Sequence, residues 1–238
     1  MSGRLGHPRL HLQETGSTND HARTLAAAGA VHGTLVTADA QTAGRGRQGR
    51  VWSAPPGHAL LLSVILRDPP PLLPLHAAVA VAQTAAELAP RAAVGIKWPN
   101  DVQLDGRKVA GILAEGRPQE DWAVLGIGVN VALRVEDLPP ELHGTAATLG
   151  LAPAQREAVL QTLLGHLEHA LALTSGDLLD AWRARDVLRG RAVSWTGGHG
   201  TAAGVDGAGR LVVELDGGGR TALDAGEVHL ARVDPPGR

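Results

Sequence analysis

The chain contains no cysteine among its 238 residues, which excludes disulfides, thiolate metal sites and a cysteine nucleophile. It has no apolar run long enough to cross a bilayer, and residues 1–11 lack the apolar stretch of a secretory signal. Phenylalanine and tyrosine are absent and the formal charge is only -2, so neither base stacking nor electrostatics favours a nucleic-acid partner. These absences predict a cytoplasmic protein that binds neither nucleic acid nor a membrane.

Lysine and asparagine are scarce. Two of the 22 basic residues are lysine, Lys97 and Lys108, and both fall within one short stretch. The three asparagines, Asn19, Asn100 and Asn130, each lie beside one of the motifs described below. Because arginine cannot replace lysine where a compact point charge is needed, these positions indicate where to look for chemistry. The eleven histidines lack the spacing of zinc ligands, so no metal site made of protein side chains is predicted.

The patterning predicts an α+β domain followed by a small all-β domain. Helical patterns occupy the segments 17–29, 75–88, 154–173 and 177–185. Strand patterns occupy the segments 34–38, 60–66, 94–98, 102–104, 108–114 and 122–131. Strands that are grouped between helices favour an α+β layer over strict βαβ alternation. Short strands between Gly-rich turns, at 192–195, 201–205, 211–215, 221–223 and 228–233, predict a β barrel. The expected domains are therefore 1–187 and 188–238.

A loop rich in glycine and arginine interrupts the periodic pattern at residues 41–50, Gln-Thr-Ala-Gly-Arg-Gly-Arg-Gln-Gly-Arg. Glycine lets the backbone approach a ligand closely, and exposed amides with arginine side chains suit phosphate or carboxylate oxygens. A surface loop with solvated charges and a nucleic-acid contact are the alternatives that the loop alone leaves open. It is not a Walker loop, because no Gly-Lys-Ser/Thr follows.

Three further segments place polar residues at strand ends. Residues 97–101, Lys-Trp-Pro-Asn-Asp, either hold a nucleotide or its Mg²⁺ or form a plain turn with a core tryptophan. Lys108 begins an otherwise apolar strand, so its ammonium group is expected at the edge of the sheet. There it is either a functional group or a solvated edge lysine. Residues 126–131, Gly-Ile-Gly-Val-Asn-Val, form a buried strand with glycines that permit close approach of a ligand. Asn130 in that strand is a ligand-binding residue or a strand-end cap.

Taken in order, these motifs resemble the biotin–protein ligase family from about Gln13 to Asn130. The set is Ser-Thr-Asn, Gln-x-x-Gly-Arg-Gly-Arg-x-Gly, Lys-Trp-Pro-Asn-Asp, Arg-Lys-x-x-Gly-Ile-Leu and Gly-x-Gly-x-Asn. The resemblance implies a class II synthetase-like catalytic domain, with a central mixed sheet and flanking helices, and a C-terminal SH3-like β barrel. It also implies ATP and biotin as substrates, Mg²⁺, and a biotin carboxyl carrier protein whose lysine receives the biotin.

The resemblance implies roles for individual residues. Those implied to bind biotin are Ser17, Thr18, Asn19, Gln41, Arg45, Gly46, Arg47, Lys108 and Gly111. Those implied to bind ATP are Arg47, Asn100, Asp101, Lys108 and Asn130. Arg47 and Lys108 are the implied catalytic residues, because they supply positive charge where two anions meet. Some family members have an aromatic residue in the strand at 60–62, whereas this chain has three leucines, so an aliphatic biotin wall is expected.

Other functions compete with this interpretation. A lipoate–protein ligase shares the adenylation chemistry, but the arginine-rich loop and Lys-Trp-Pro-Asn-Asp favour biotin. A cysteine-dependent octanoyl transferase is excluded by the lack of cysteine. Relatives that also repress transcription carry a helix-turn-helix domain before the first motif, where this chain has only about a dozen residues, so ligase activity without repression is expected. Family members often form homodimers, and the sequence leaves a homodimer open.

Overall fold

The computed structural model describes residues 5–117, 121–224 and 228–230. The first sheet contains β1 (Arg9–Thr15), β2 (Leu35–Gln41), β3 (Ala59–Arg67), β4 (Val94–Lys97), β5 (Asp101–Leu104), β6 (Arg107–Arg117) and β7 (Trp122–Asn130). The helices are α1 (Thr18–Ala27), α2 (Leu73–Leu88), α3 (Arg156–Leu171) and α4 (Ser175–Arg183). The second sheet contains β8 (Ala192–Trp195), β9 (Gly198–Val205), β10 (Leu211–Leu215), β11 (Arg220–Leu223) and β12 (Val228–Leu230).

The first sheet is mixed, in the order β1-β2-β3-β7-β6-β5-β4. The pair β1–β2 is parallel, and every other neighbouring pair is antiparallel. Because side chains alternate between the faces of a strand, β3 serves both sides of the sheet. Leu60, Leu62 and Val64 belong to the main core, whereas Ser63 and Ile65 face α1. The mixed sheet expected from the sequence is confirmed.

The helices lie on the two faces of this sheet. α1 packs on one face, against β2, β3 and β7, where Ala22 and Ala26 meet Ile65 and Val124. α2 covers the other face and is itself packed by α3 and α4, so most of its residues are buried. None of the helices in the described residues combines the length and apolarity needed to span a bilayer. The α1 face is covered only in part, and this leaves room for a cavity there.

The second sheet is antiparallel throughout, in the order β11-β10-β9-β8-β12. Val193 and Leu211 of this sheet belong to the same buried core as Leu75 of α2. The buried Trp98 indole donates a hydrogen bond from Nε1 to the carbonyl oxygen of Gly209, at 3.0 Å. The two sheets therefore share one apolar core. The boundary at 187/188 falls between α4 and β8, and separate domains and barrel closure stay predictions.

The sequence patterns predict most elements to within a few residues, with one strand missed. β1 escapes prediction because its seven residues, Arg-Leu-His-Leu-Gln-Glu-Thr, include only two apolar ones. This strand is specified by its pairing with β2 rather than by its own pattern. The final predicted strand runs to Val233, but residues 231–233 lie outside the described part of the chain.

Candidate active site

A cavity of about 610 Å³ opens on the α1 face of the first sheet. It is bordered by the start of α1, the glycine-rich loop with Trp52, the turn before β5, the segment 138–146 and strand β12. All of the residues to which the sequence motifs imply a role border this one cavity: Ser17, Thr18, Asn19, Gln41, Arg45, Gly46, Arg47, Asn100, Asp101, Lys108, Gly111 and Asn130. They come from five separate motifs along the chain, and only the fold brings them together.

The floor of the cavity contains two glycines that face each other across β6 and β7. Gly111 and Gly128 are register partners, and the indole of Trp52 lies against both. A Cβ on Gly128 would lie 2.6 Å from Cε2 of Trp52, and a Cβ on Gly111 would lie 2.9 Å from Cζ3. Since real side chains do not approach so closely, both positions require glycine while Trp52 lies there. The floor is therefore flat backbone, and the planar indole of Trp52 packs on it.

The start of α1 forms one end of the cavity through a chain of side-chain hydrogen bonds. The amide nitrogen and Oγ1 of Thr18 donate to Oε1 of Gln41, at 2.8 and 3.0 Å. Ser63 Oγ lies 2.6 Å from Oδ1 of Asn19 and 2.9 Å from Oγ1 of Thr18. Ser17, at the N-cap, makes no capping hydrogen bond with its side chain. These buried groups fix a polar surface of hydroxyls and amides, which suits the ureido group implied by the resemblance.

The glycine-rich loop folds back on itself above the floor. Arg45 and Val51 form an antiparallel bridge, and Gly46 donates a backbone hydrogen bond to the carbonyl oxygen of Arg50. The return is made by Gln48 and Gly49, with φ of 54° and 73°. Partial burial lowers the pKa of the Arg47 guanidinium from its usual value, and the nearby Asp101 carboxylate opposes that effect. Arg47 therefore borders the cavity as a partly desolvated cation, which interacts more strongly with an anion than an exposed one.

Lys108 is held beside the floor by two contacts. Its Nζ lies 2.7 Å from Oδ1 of Asp101 and 5.5 Å from the centroid of the Trp52 ring. The carboxylate and the aromatic face both attract the ammonium group and so fix its position. Together with Arg47, this lysine concentrates positive charge on one side of the cavity, where an anionic substrate group would be attracted.

Two of the three asparagines of the site, Asn100 and Asn130, each hold a neighbouring segment of backbone. Asn100 Nδ2 donates to the carbonyl oxygen of Ile112 at 3.0 Å. The buried Asn130 Nδ2 donates to the carbonyl oxygen of Ala147 at 2.9 Å. Each side-chain amide thus supports the cavity wall through its Nδ2, which leaves its Oδ1 to accept a hydrogen bond from a ligand. Both alternatives raised by the sequence, a structural and a binding role, are compatible with this geometry.

The sequence motifs missed several residues of the site. Trp52 covers the floor, Ser63 binds α1, and Glu115 contacts both Asn19 and Arg45. The second sheet also contributes a wall, residues 228–230 of β12. Trp52 stands two residues after the glycine-rich loop, and this adjacency is the sequence signal that could have marked it.

The described part of the chain contains no metal site made of protein side chains alone. Within residues 5–117, 121–224 and 228–230, no group of three or more histidine, aspartate or glutamate side chains could hold a metal ion. The carboxylate of Asp101 lies on the cavity wall and is paired with Lys108. These residues fit a Mg²⁺ ion that is held mainly by substrate phosphates and water, which is the usual mode for magnesium with nucleotides.

Known proteins with similar sequences and structures match most of the chain. Residues 13–131 match the model of the Biotin/lipoate A/B protein ligase family. The biotin--[acetyl-CoA-carboxylase] ligase of Mycobacterium tuberculosis is 39% identical over 238 residues, covering 92% of this chain and 88% of the relative. The bifunctional ligase/repressor BirA of Bacillus spizizenii is 41% identical over 171 residues, covering 67% of this chain.

The chain spans about half of that Bacillus relative, 52% of its length. Among solved structures, a biotin protein ligase from Aquifex aeolicus in complex with biotin and ATP superposes with a TM-score of 0.79 and 28% sequence identity. That superposition covers 95% of this chain and 99% of the Aquifex chain.

Proposed function

The chain belongs to the Biotin/lipoate A/B protein ligase family, and from that premise we propose that it is an ATP-dependent biotin–protein ligase. The observation that carries the proposal is that all of the residues implied by the motifs border one cavity. Relatives named as biotin ligases, and a solved relative that binds biotin and ATP, support the choice of substrates. The reaction forms biotinyl-5'-AMP and then transfers the biotin to a lysine of a carrier protein.

In the first half-reaction, the biotin carboxylate attacks the α-phosphorus of ATP and pyrophosphate leaves. Because two anions must meet, catalysis depends on position and on charge stabilisation rather than on an enzyme nucleophile. Arg47 and Lys108 supply the positive charge, and the Asp101 carboxylate holds Lys108 in place. The hydroxyls and amides at the start of α1 hold the polar end of biotin, and Leu61 contributes an aliphatic wall.

In the second half-reaction, the lysine amine of the carrier attacks the acyl carbon of the adenylate, and AMP leaves with the bonding electrons of the broken anhydride. The adenylate is prone to hydrolysis, so it must be shielded from water until the carrier arrives. The glycine-rich loop lies over the cavity and serves as that cover. Asn100, Asp101 and Asn130 are assigned to the nucleotide side, and Mg²⁺ is the ion that accompanies ATP.

The partners follow from the reaction. The acceptor is a biotin carboxyl carrier protein, as the names of the relatives indicate. A cytoplasmic location and the absence of nucleic-acid and membrane partners belong to the same proposal, as does ligase activity without repression. A gel shift on promoter DNA tests the last point, and sedimentation at several concentrations tests the homodimer that the sequence leaves open.

The deciding experiment is ATP–pyrophosphate exchange with the purified protein and Mg²⁺, comparing biotin, lipoate, octanoate and no added acid. Exchange that depends on biotin is expected. Exchange with lipoate or octanoate in its place would keep the adenylation chemistry and overturn the substrate. A protein that shows no exchange with any acid would contradict the proposed function as a whole.

A further inference from the structure

Glu115, near the end of β6, has no role in the reaction described above, yet one of its oxygens joins two residues that border the cavity. Its Oε2 accepts from Nη2 of Arg45 at 2.5 Å and from Nδ2 of Asn19 at 2.8 Å. The same Arg45 nitrogen lies 2.9 Å from Oδ1 of Asp20. These four residues, Arg45, Glu115, Asn19 and Asp20, are called the Arg45 anchor below.

The register of the sheet places Glu115 where α1 and the loop meet. Glu115 pairs with Val124, which pairs in turn with Ile65, so it lies on the sheet face that α1 covers. Gly126 lies two positions along β7 from Val124, towards the cavity. A Cβ on Gly126 would lie 2.8 Å from Cγ of Asn19. The absence of a side chain at that glycine lets Asn19 reach across to Glu115.

The Arg45 anchor is an ionic attachment of the loop to the sheet. The backbone hydrogen bonds described for residues 44–52 run within the loop, from Gly46 to Arg50 and from Trp52 to Gly44. Glu115 and Arg45 are 26% and 35% exposed, against 56% for Asp20, so water competes less for the Glu115 pair. Arg45 Nε is buried and has no hydrogen-bond partner among the described residues, which leaves one oriented donor for a ligand.

We propose that Glu115 is a positioning residue that holds Arg45, and through it the glycine-rich loop, over the cavity before substrates bind. Its effect on catalysis rests on the proposed ligase function, whereas its effect on the loop does not. Without Glu115, Arg45 keeps the exposed Asp20 as its partner, the loop opens more often, and Arg47 spends less time at the cavity near Asp101.

Trypsin tests the loop directly, because Arg45, Arg47 and Arg50 all lie within it. Without any substrate, we expect cleavage in the loop of Glu115→Ala to be about fivefold faster than in the wild type, since cleavage follows the population of the open form. Glu115→Gln keeps an oxygen for Asn19 but loses the charge and should lie between the two. Glu157→Gln breaks a pair with Arg9, far from the loop, and should leave loop cleavage unchanged.

The same variants are then compared in pyrophosphate exchange. We expect Glu115→Gln to raise KM for biotin about fivefold with kcat within about twofold, because the reacting groups are intact and only their cover is loosened. Loop cleavage in both Glu115 variants equal to that of the wild type and of Glu157→Gln, at equal thermal midpoints, would overturn the proposal. A wild type without exchange but with faster loop cleavage in the variants would overturn the ligase function and leave the anchor standing.

Discussion

At the scale of single residues, Lys108 and Arg47 both supply positive charge but are held differently. Lys108 is fixed from two sides, by Asp101 and by the face of Trp52, whereas Arg47 lies in a loop that folds back on itself. A fixed cation stabilises charge that develops in a transition state without a cost of reorganisation. Arg47 lies in the glycine-rich loop that covers the cavity, so it acts mainly by keeping the bound intermediate in place.

We therefore expect the two alanine variants to differ in kind. Lys108→Ala should reduce the rate of adenylate formation by about 10²-fold or more, as removal of a preorganised charge does. Arg47→Ala should slow it less, and should release adenylate that appears as free biotin and AMP in the absence of carrier. Single-turnover measurements with radiolabelled ATP separate the two effects. Wild-type rates in both variants would refute the roles assigned to them.

Lys108 also shows what a residue-scale pattern can and cannot predict. One lysine at the head of an apolar strand, in a chain with only two lysines, predicts an ammonium group at a functional edge. The contact with Trp52 is not predictable, because that ring comes from a loop far away in the sequence. Glu115 was missed for a related reason. Its alignment with Arg45 follows from strand register and from the path of the loop, neither of which leaves a local signature.

At the scale of elements, an ion-pair cluster attaches α3 to the edge of the first sheet. Arg156 at the start of α3 binds Asp39 of β2 at 2.6 Å, and His11 of β1 lies 3.4 Å from the same carboxyl group. Arg9 of β1 binds Glu157 of α3 at 2.8 Å. Because β1 has few apolar residues, these polar contacts help to hold the strand that the sequence did not reveal.

The cluster makes the stability of the protein sensitive to acid. The hydrogen bond from Arg156 lowers the pKa of Asp39 below its usual value of 3.8. A carboxyl group with a lowered pKa in the folded state stabilises that state above 3.8, and this contribution is lost as the pH falls through the folded value. We expect Asp39→Asn to lower the free energy of unfolding at neutral pH by about 0.5 to 1 kcal/mol, since the pair is partly exposed.

Urea unfolding from pH 7 to pH 2 measures this difference. The gap between the wild type and Asp39→Asn should shrink below about pH 4, where the carboxyl group begins to be protonated. In an Arg156→Ala background, which lacks the main cause of the lowered pKa, the substitution should have little effect at any pH. A gap that stays constant with pH would show that Asp39 acts through its shape and not through its charge.

Patterns at the element scale predict turns and buried strands well. Asp105-Gly106 predicts the hairpin between β5 and β6, and both residues have the positive φ values, 48° and 77°, that such a turn requires. The segment at 60–66, apolar except for Ser63, predicts β3 because a run of buried positions can be recognised without knowing its neighbours. β1 is specified by its pairing with β2, and its sequence alone does not predict it.

At the scale of the whole molecule, the second sheet takes part in the site. The turn at Gly209 lies between α2 and Trp98, where a Cβ on Gly209 would be 2.8 Å from Cδ2 of Leu72. Trp98 begins the turn that carries Asn100 and Asp101. The contact thus connects the C-terminal sheet to the residues that hold Lys108.

Two tryptophan-to-phenylalanine substitutions test this connection. Both Trp98 and Trp182 are almost fully buried, but only Trp98 makes a hydrogen bond, since Nε1 of Trp182 has no partner among the described residues. We expect Trp98→Phe to lower the free energy of unfolding by about 1 kcal/mol more than Trp182→Phe does, because only it removes a hydrogen bond, the one to the partly buried Gly209 carbonyl group.

The functional readout of the same pair is KM for ATP in pyrophosphate exchange. Trp98→Phe should raise it, and Trp182→Phe should not. If the two variants behave alike in both stability and KM, the hydrogen bond to Gly209 contributes nothing specific to the site.

The position of Trp52 on its glycine floor has an optical consequence. The chain has no tyrosine, so its ultraviolet fluorescence comes from tryptophan alone. Trp52 lies against the floor of the cavity with the Lys108 ammonium group 5.5 Å from its ring centroid, and a nearby cation shifts indole emission. A ligand that draws Lys108 away or slides against the ring changes that emission, so the protein carries its own label-free reporter of occupancy.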